Sequence, residues 1–220
     1  MKTHDETTYE RLMRSAAKLF AQKGFDGTTT RQIVADAGSS LSSLQIHFQS
    51  KESLYQAVIQ RTLDSFYRLN APIMDEIRVA EEQGFLNPSM AWNFIVQMTS
   101  QIIEWAFNET YRNEIILINR EILMSDDNGQ KLPPTIFCLY DLVEELFEVY
   151  TGQTDQFWIK ALTFSLITSA FDVANYPRLL NRLLDCDISL PENKIKLKAY
   201  MKGYLLTCIK ASLDAHNGEK

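Results

Sequence analysis

Two helix stops, Gly24 and Gly38, each followed within a few residues by a helix start, constrain this chain more than any other feature. Before Gly24, Leu12, Ala16, Leu19 and Phe20 recur at i, i+4, i+7 and i+8, the spacing of one helix face. Arg11, Arg14, Lys18 and Gln22 fall on the other faces. Gly24 then stands where a helix closes, because glycine tolerates the backbone turn that follows the last carbonyls. Thr29 and Gln32 form the Thr-x-x-Gln pattern of a capping box, in which each side chain satisfies the other residue's backbone N–H. Ile33, Val34 and Ala37 follow on that helix, and Gly38 breaks it within two turns. Ser40 caps a third helix with Leu41, Leu44 and Phe48 at i, i+3 and i+7. A short helix, a glycine-containing turn and a second short helix make the helix-turn-helix pattern.

The rest of the chain reads as longer helices. Ser50 caps one that runs from Lys51 through Leu54, Val58 and Phe66 until Pro72 bends or ends it. Asn87-Pro88 opens another to about residue 107, and further helices cover roughly 111–124, 134–150, 154–175, 179–184 and 191–215. With 45% hydrophobic residues, few Gly and Pro, and no alternating stretches, the expectation is an all-α protein. Its organisation is a three-helix head over 1–50, and a connecting helix plus larger helical body over 51–220. No apolar run approaches the roughly 20 residues that span a bilayer, and the polar, acidic N-terminus is unlike a secretory signal. Cys138, Cys186 and Cys208, odd in number and widely spaced, suit neither a disulfide framework nor a zinc site. A cytoplasmic protein without membrane, metal or cofactor is expected.

Charge is unevenly placed. Residues 1–60 hold seven Lys and Arg against six Asp and Glu, a balance of +1, whereas the remainder holds fifteen against twenty-two, or −7. Whole-chain acidity argues against non-specific nucleic-acid binding by the body and leaves open a small module at one end. The third helix carries three serines, a glutamine and a histidine where a surface helix would carry Glu and Lys. A helix entering the major groove needs such a face: hydroxyls meet bases or phosphates, Gln45 bridges adenine's paired donor and acceptor, and carboxylates would be repelled. A plain polar surface explains the serines almost as well by itself, and His47 alone more often packs or caps than binds.

The stretch "RLMRSAAKLFAQKGFDGTTTRQIVADAGSSLSSLQIHFQSKESLYQAVI" resembles the DNA-binding domain of the TetR family of bacterial transcription regulators. The features that carry the likeness are the Ala-Ala-x-Leu-Phe helix, Gly24-Phe25, Thr29-Thr30, Ile33-x-x-x-Ala37-Gly38, and His47-Phe48-x-Ser50-Lys51-Glu52-x-Leu54. Gln45 departs from the family's frequent Tyr. The resemblance implies DNA contacts from Thr29, Thr30, Arg31, Ser40, Leu41, Ser42, Ser43, Gln45, Ile46, His47 and Lys51. Arg31 is the candidate for a guanine; Thr29, Thr30, His47 and Lys51 are candidates for phosphates, assisted by the helix N-terminus beside Lys51.

The body is dense in aromatic residues. Most belong to a core, and the resemblance implies that some line a cavity for an apolar effector. The candidates are Trp92, Met98, Trp105, Phe137, Tyr140, Phe164 and Phe171, with Asp172 and Tyr176 as a polar end that serves equally as a helix cap. No Gly-rich phosphate loop or His-Glu-x-x-His pair is present, so no catalytic residue is assigned. The resemblance further implies a homodimer on a double-stranded palindromic operator, repressing until the effector releases it, with the last two long helices pairing through positions such as Leu197, Met201, Leu205 and Ile209. A helical interaction module without DNA binding, or a helical enzyme on an apolar substrate, are the other readings.

Overall fold

In the computed structural model of the chain, residues 7–124, 134–152 and 155–218 are described. They form ten helices and, among the described residues, no strand. These are α1 (Thr8–Lys23), α2 (Thr30–Asp36), α3 (Leu41–Phe48), α4 (Lys51–Glu82) and α5 (Pro88–Ala106), then α6 (Arg112–Met124), α7 (Pro134–Thr151), α8 (Gln156–Asn175), α9 (Pro177–Leu183) and α10 (Pro191–Gly218). Two compact units result: Met1–Ser65 with Thr110–Leu132, and Phe66–Glu109 with Pro133–Lys220. The helix-turn-helix segment lies wholly in the first.

In the first unit the apolar stripe of α1 does the organising. Leu12, Met13, Ala16 and Phe20 are buried, as are Ile33 of α2, Leu44 and Phe48 of α3, and Leu54 and Val58 of α4; α1 packs on α2 and α3, and Phe20 meets Tyr55 of α4 edge-on at 4.9 Å. The opposite flank of α1 packs on α6, where Ile115 and Leu117 are buried. At the C-terminus of α1, Gly24 has φ +75°, a conformation costly for residues with a Cβ. A Cβ there would also lie 2.8 Å from an Arg120 guanidinium nitrogen, the far end of a flexible side chain that can move aside, so it is the positive φ that calls for glycine.

The first half of α4 also places Arg61 between two acids: Nη1 lies 2.9 Å from Glu10 of α1, and Nη2 lies 3.6 Å from Glu114 of α6. Glu114 is buried, and loss of hydration pushes its carboxyl pKa upward against the opposing pull of Arg61. Helix α4 does not end at Pro72. It continues to Glu82 with the proline on its exposed side, at the cost of one backbone hydrogen bond. After the proline, Ile73 and Ile77 belong to the core of the second unit, and Ala80 is buried.

That second core is built by α5, α7, α8 and α10, with α9 set against α8. Phe94, Met98, Ile102, Val143, Leu146, Phe147, Ile159, Ile167 and Leu213 are its buried centre. Asn87 caps α5 through its side chain and Pro88 begins it, as the Asn-Pro pair predicts. Leu205 and Ile209 of α10, expected on a pairing face, belong instead to this core, and Leu197 and Met201 pack against it. The outward side of α10 carries Ile195, Tyr200 and Tyr204, the two rings stacked at 6.2 Å; α8 presents Phe157 and Phe164, 86% and 60% exposed. No single described helix is long and apolar enough to cross a membrane.

The weight of the second core is testable. Phe147 is fully buried, so Phe147→Ala removes a whole ring and leaves a void, at an expected cost of about 3–5 kcal/mol in denaturant unfolding.

Candidate nucleic-acid interface

The turn between α2 and α3 sets the site. Ala37 ends α2, Gly38 has φ +57°, and two bonds close the turn: Ser39 N–H to the Val34 carbonyl at 2.8 Å, and Gly38 N–H to the Ala35 carbonyl at 3.3 Å. This pair is the Schellman arrangement, whose left-handed residue is why glycine stands at 38. The capping box is present: Gln32 N–H donates to Thr29 Oγ1 at 3.3 Å, and Thr29 N–H donates to Gln32 Oε1 at 3.0 Å. Ser40 caps α3, its Oγ accepting from Ser43 N–H at 3.1 Å and lying 3.0 Å from Ser43 Oγ.

Polar contacts then hold α2 and α3 against α1. Ser15 Oγ, buried, lies 3.0 Å from the Ile33 carbonyl and 2.8 Å from Asp36 Oδ2, while Lys18 Nζ reaches Asp36 Oδ1 at 2.6 Å. The Lys18 ammonium, then the Ser15 hydroxyl, hold the Asp36 carboxyl below its ordinary range. Arg11 Nε donates to the Ala37 carbonyl at 3.2 Å, covering the end of α2. Tyr9 stacks on Phe48 at 5.0 Å and meets His47 edge-on at 5.9 Å, joining the start of α1 to the end of α3. Sequence reasoning passed over Tyr9, Ser15 and Asp36. The one available signal was a serine next to the apolar stripe of α1, where an unpaired hydroxyl would be costly.

The expected contact residues divide into three groups. Arg31, Leu41, Ser42, Gln45, Ile46 and His47 are exposed, with Arg31 in the first turn of α2. Thr29, Ser40 and Ser43 already serve as caps or cap partners, and Thr30 is half-buried at the start of α2. Lys51 is placed differently from an open phosphate ligand. Its Nζ donates to the carbonyls of Phe25 at 3.0 Å and Thr28 at 3.2 Å, and it sits 4.0 Å from the centre of the Phe25 ring. Its first duty is to pin the loop ahead of α2. Thr28, also buried in that loop, donates within reach of the Leu19 and Gly24 carbonyls.

The body candidates are also dispersed. Met98 is buried, and Trp105 is buried with its ring against Phe66 at 4.8 Å and Phe171 at 5.5 Å. Trp92 meets Tyr150 at 5.3 Å, under Lys210. Tyr140 is half-buried, which raises its hydroxyl pKa, whereas Phe137, Phe164, Asp172 and Tyr176 are exposed. No group of three or more His, Cys, Asp or Glu suited to a metal occurs among the described residues.

A compact three-helix head with a capped, glycine-turned helix pair and an outward uncharged face defines a helix-turn-helix DNA-binding module. Known proteins agree. The family model for bacterial regulatory proteins of the tetR family matches residues 12–58. The uncharacterized HTH-type transcriptional regulator YerO of Bacillus subtilis (strain 168) is 42% identical over 45 residues, 20% of this chain and 16% of that protein. The HTH-type transcriptional repressor KstR2 of Mycolicibacterium smegmatis is 36% identical over 66 residues, 30% of this chain and 32% of that one. These alignments thus span less than a third of either relative. A TetR-like transcriptional regulator from Rhodococcus sp. RHA1 shares the fold along 97% of this chain and 99% of its own, with TM-score 0.65 and 16% identity. AibR, solved with isovaleryl coenzyme A and operator DNA, covers 91% of this chain and 98% of its own at TM-score 0.66 and 17% identity. The head, residues 12–58, thus matches the tetR family of bacterial regulatory proteins, and the chain shares the fold of TetR-like regulators.

Two measurements check the site's internal construction. Lys51→Ala should lower stability by about 1–3 kcal/mol, because two carbonyls lose a charged donor, and the loss should appear in unfolding without DNA. Arg31→Ala, at an exposed position, should leave unfolding unchanged. Asp36 gives a pH test. Its folded pKa is depressed from 3.8, so its contribution is present above that value and lost as pH falls through the lower folded one. The stability gap between wild type and Asp36→Asn should be open at neutral pH and close on acidification.

Proposed function

We propose that the chain is a ligand-responsive repressor that binds a palindromic operator as a homodimer, in the cytoplasm. The observation that carries the DNA-binding half is the outward side of α3. It is uncharged, rich in hydrogen-bonding groups, and presented by a turn that two backbone hydrogen bonds close. Carboxylates are missing where phosphates would approach. Arg31 takes a guanine, Gln45 an adenine, and Thr30, Ser42 and His47 the backbone around them. Lys51 acts through the loop it pins.

Dimerisation is supported by the exposed apolar side chains of α8 and α10, Phe157, Phe164, Ile195, Tyr200 and Tyr204. Large apolar side chains left exposed on two helices suit an interface with a second copy. Two-fold pairing places two heads on half-sites a helical turn, about 10 base pairs, or a multiple apart. The effector reading draws on the aromatic helices α5, α7 and α8, and on the small molecule present with the structurally similar AibR. Helix α4 has residues in both units and is the element through which an effector changes the heads' operator affinity. The effector acts only by preferring one arrangement, since equal affinity for two arrangements shifts nothing.

Selection of duplexes from a random pool tests the proposal. A shared motif with two inverted half-sites is expected, and failure to enrich any motif supports an interaction module instead. Arg31→Ala should cost about 1–3 kcal/mol on that duplex and relax one base position. Sedimentation should give twice 25.3 kDa for the wild type and 25.3 kDa for Phe164→Glu. Compounds that raise thermal stability should weaken the enriched duplex, and by linkage the duplex should weaken them by the same factor.

A further inference from the structure

We propose that Ile46 reads the C5-methyl group of a thymine in each operator half-site, making hydrocarbon contact a determinant of sequence preference beside hydrogen bonding. The inference rests on the DNA-binding reading above and concerns what α3 recognises. At 100° per residue, Leu41, Gln45, Ser42 and Ile46 occupy, in that angular order, a sector of about 140°, while Leu44 and Phe48 lie on the buried side. All four sector residues are exposed and none carries charge. Two amide- and hydroxyl-bearing side chains stand in the middle, and the two hydrocarbons stand at the edges.

Ile46 is 78% exposed and Leu41 47%. A lone exposed isoleucine needs no explanation. This one shares its face with the residue best suited to adenine, on the helix that the turn presents outward. Isoleucine there contributes little to the core and is a poorer helix former than the Lys, Glu or Arg that exposed positions usually hold. In the major groove thymine alone among the four bases offers a methyl group, and a β-branched side chain, stiff at χ1, meets it with little further ordering. Gln45 and Ile46 are adjacent along the helix, so an adenine contacted by Gln45 and a thymine contacted by Ile46 belong to the same or neighbouring base pairs. Leu41, five residues earlier, lies about 7.5 Å away along the helix axis, roughly two base-pair steps.

The test uses the full chain and the duplex it enriches from random DNA. That duplex is resynthesised with deoxyuridine in place of thymidine, one position at a time. Uracil keeps the pairing and the O4 acceptor and lacks only the methyl. One thymine in the half-site is expected to lose about four-fold in affinity on this replacement, the worth of one buried methyl-sized group. Ile46→Ala should bind the thymine and uracil forms of that position equally, Ile46→Val should retain most of the discrimination, and Leu41→Ala should leave it intact. Circular dichroism should show both Ile46 variants folded, since the side chain is exposed. The assignment is overturned if no thymine is sensitive, or if Ile46→Ala discriminates as the wild type does. Enrichment of a duplex indifferent to uracil would remove this inference and leave the DNA-binding reading standing, whereas enrichment of nothing removes both.

Discussion

Helices of seven and eight residues do not persist in water by themselves, because nucleation costs more than so few backbone bonds return. Everything at the candidate interface therefore depends on burial against α1. Leu12, Met13, Ala16 and Phe20 give α2 and α3 a surface on which to exist, and Ile33, Leu44 and Phe48 are the matching contacts. Around this apolar contact the polar groups are nearly all engaged. The Ser15–Asp36–Lys18 cluster, the Arg11 bond to Ala37, and the Lys51 bonds to the loop before α2 each tie a backbone end that burial alone would leave loose. In the small head, caps and core favour the same arrangement.

Much of this was legible in the residues. Thr29 with Gln32, Ser40, Ser50, Asn87 with Pro88, Gly24 and Gly38 act locally, through bonds that span three to five residues, and each marks an element boundary that the structure keeps. Interactions that cross between elements were not legible. Nothing in the neighbourhood of Lys51 announces that its ammonium reaches back to carbonyls 26 and 23 residues earlier. Pro72 signals a break because the local cost is plain, whereas the gain that outweighs it, burial of Ile73, Ile77 and Ala80, lies in the fold. The same limit governs α10. Leu205 and Ile209 form an apolar stripe, but periodicity does not say whether a stripe meets its own core or a second molecule.

The two units use their aromatic residues differently. In the head, Tyr9, Phe20, Phe25, Phe48 and Tyr55 pack ring to ring around the helix joints, at centroid distances of 4.9–5.9 Å. In the body, Phe66, Trp105 and Phe171 do the same inside, but Phe157, Phe164, Tyr200 and Tyr204 are left at the surface. Rings buried in small clusters hold a shape, whereas rings left in water add little to the core of the chain that carries them.

The division of labour within α3 bears on how such a protein changes over generations. Its inward side chains and its caps carry the stability of the head, while Leu41, Ser42, Gln45 and Ile46 on the outward side are exposed and contribute little to it. Substitutions at those four positions are therefore nearly neutral for folding and, under the proposed function, fully visible to the DNA. A duplicated copy can drift across them without passing through unfolded intermediates, while its scaffold stays as it is. The turn that sets this face apart from the core thus also makes it replaceable.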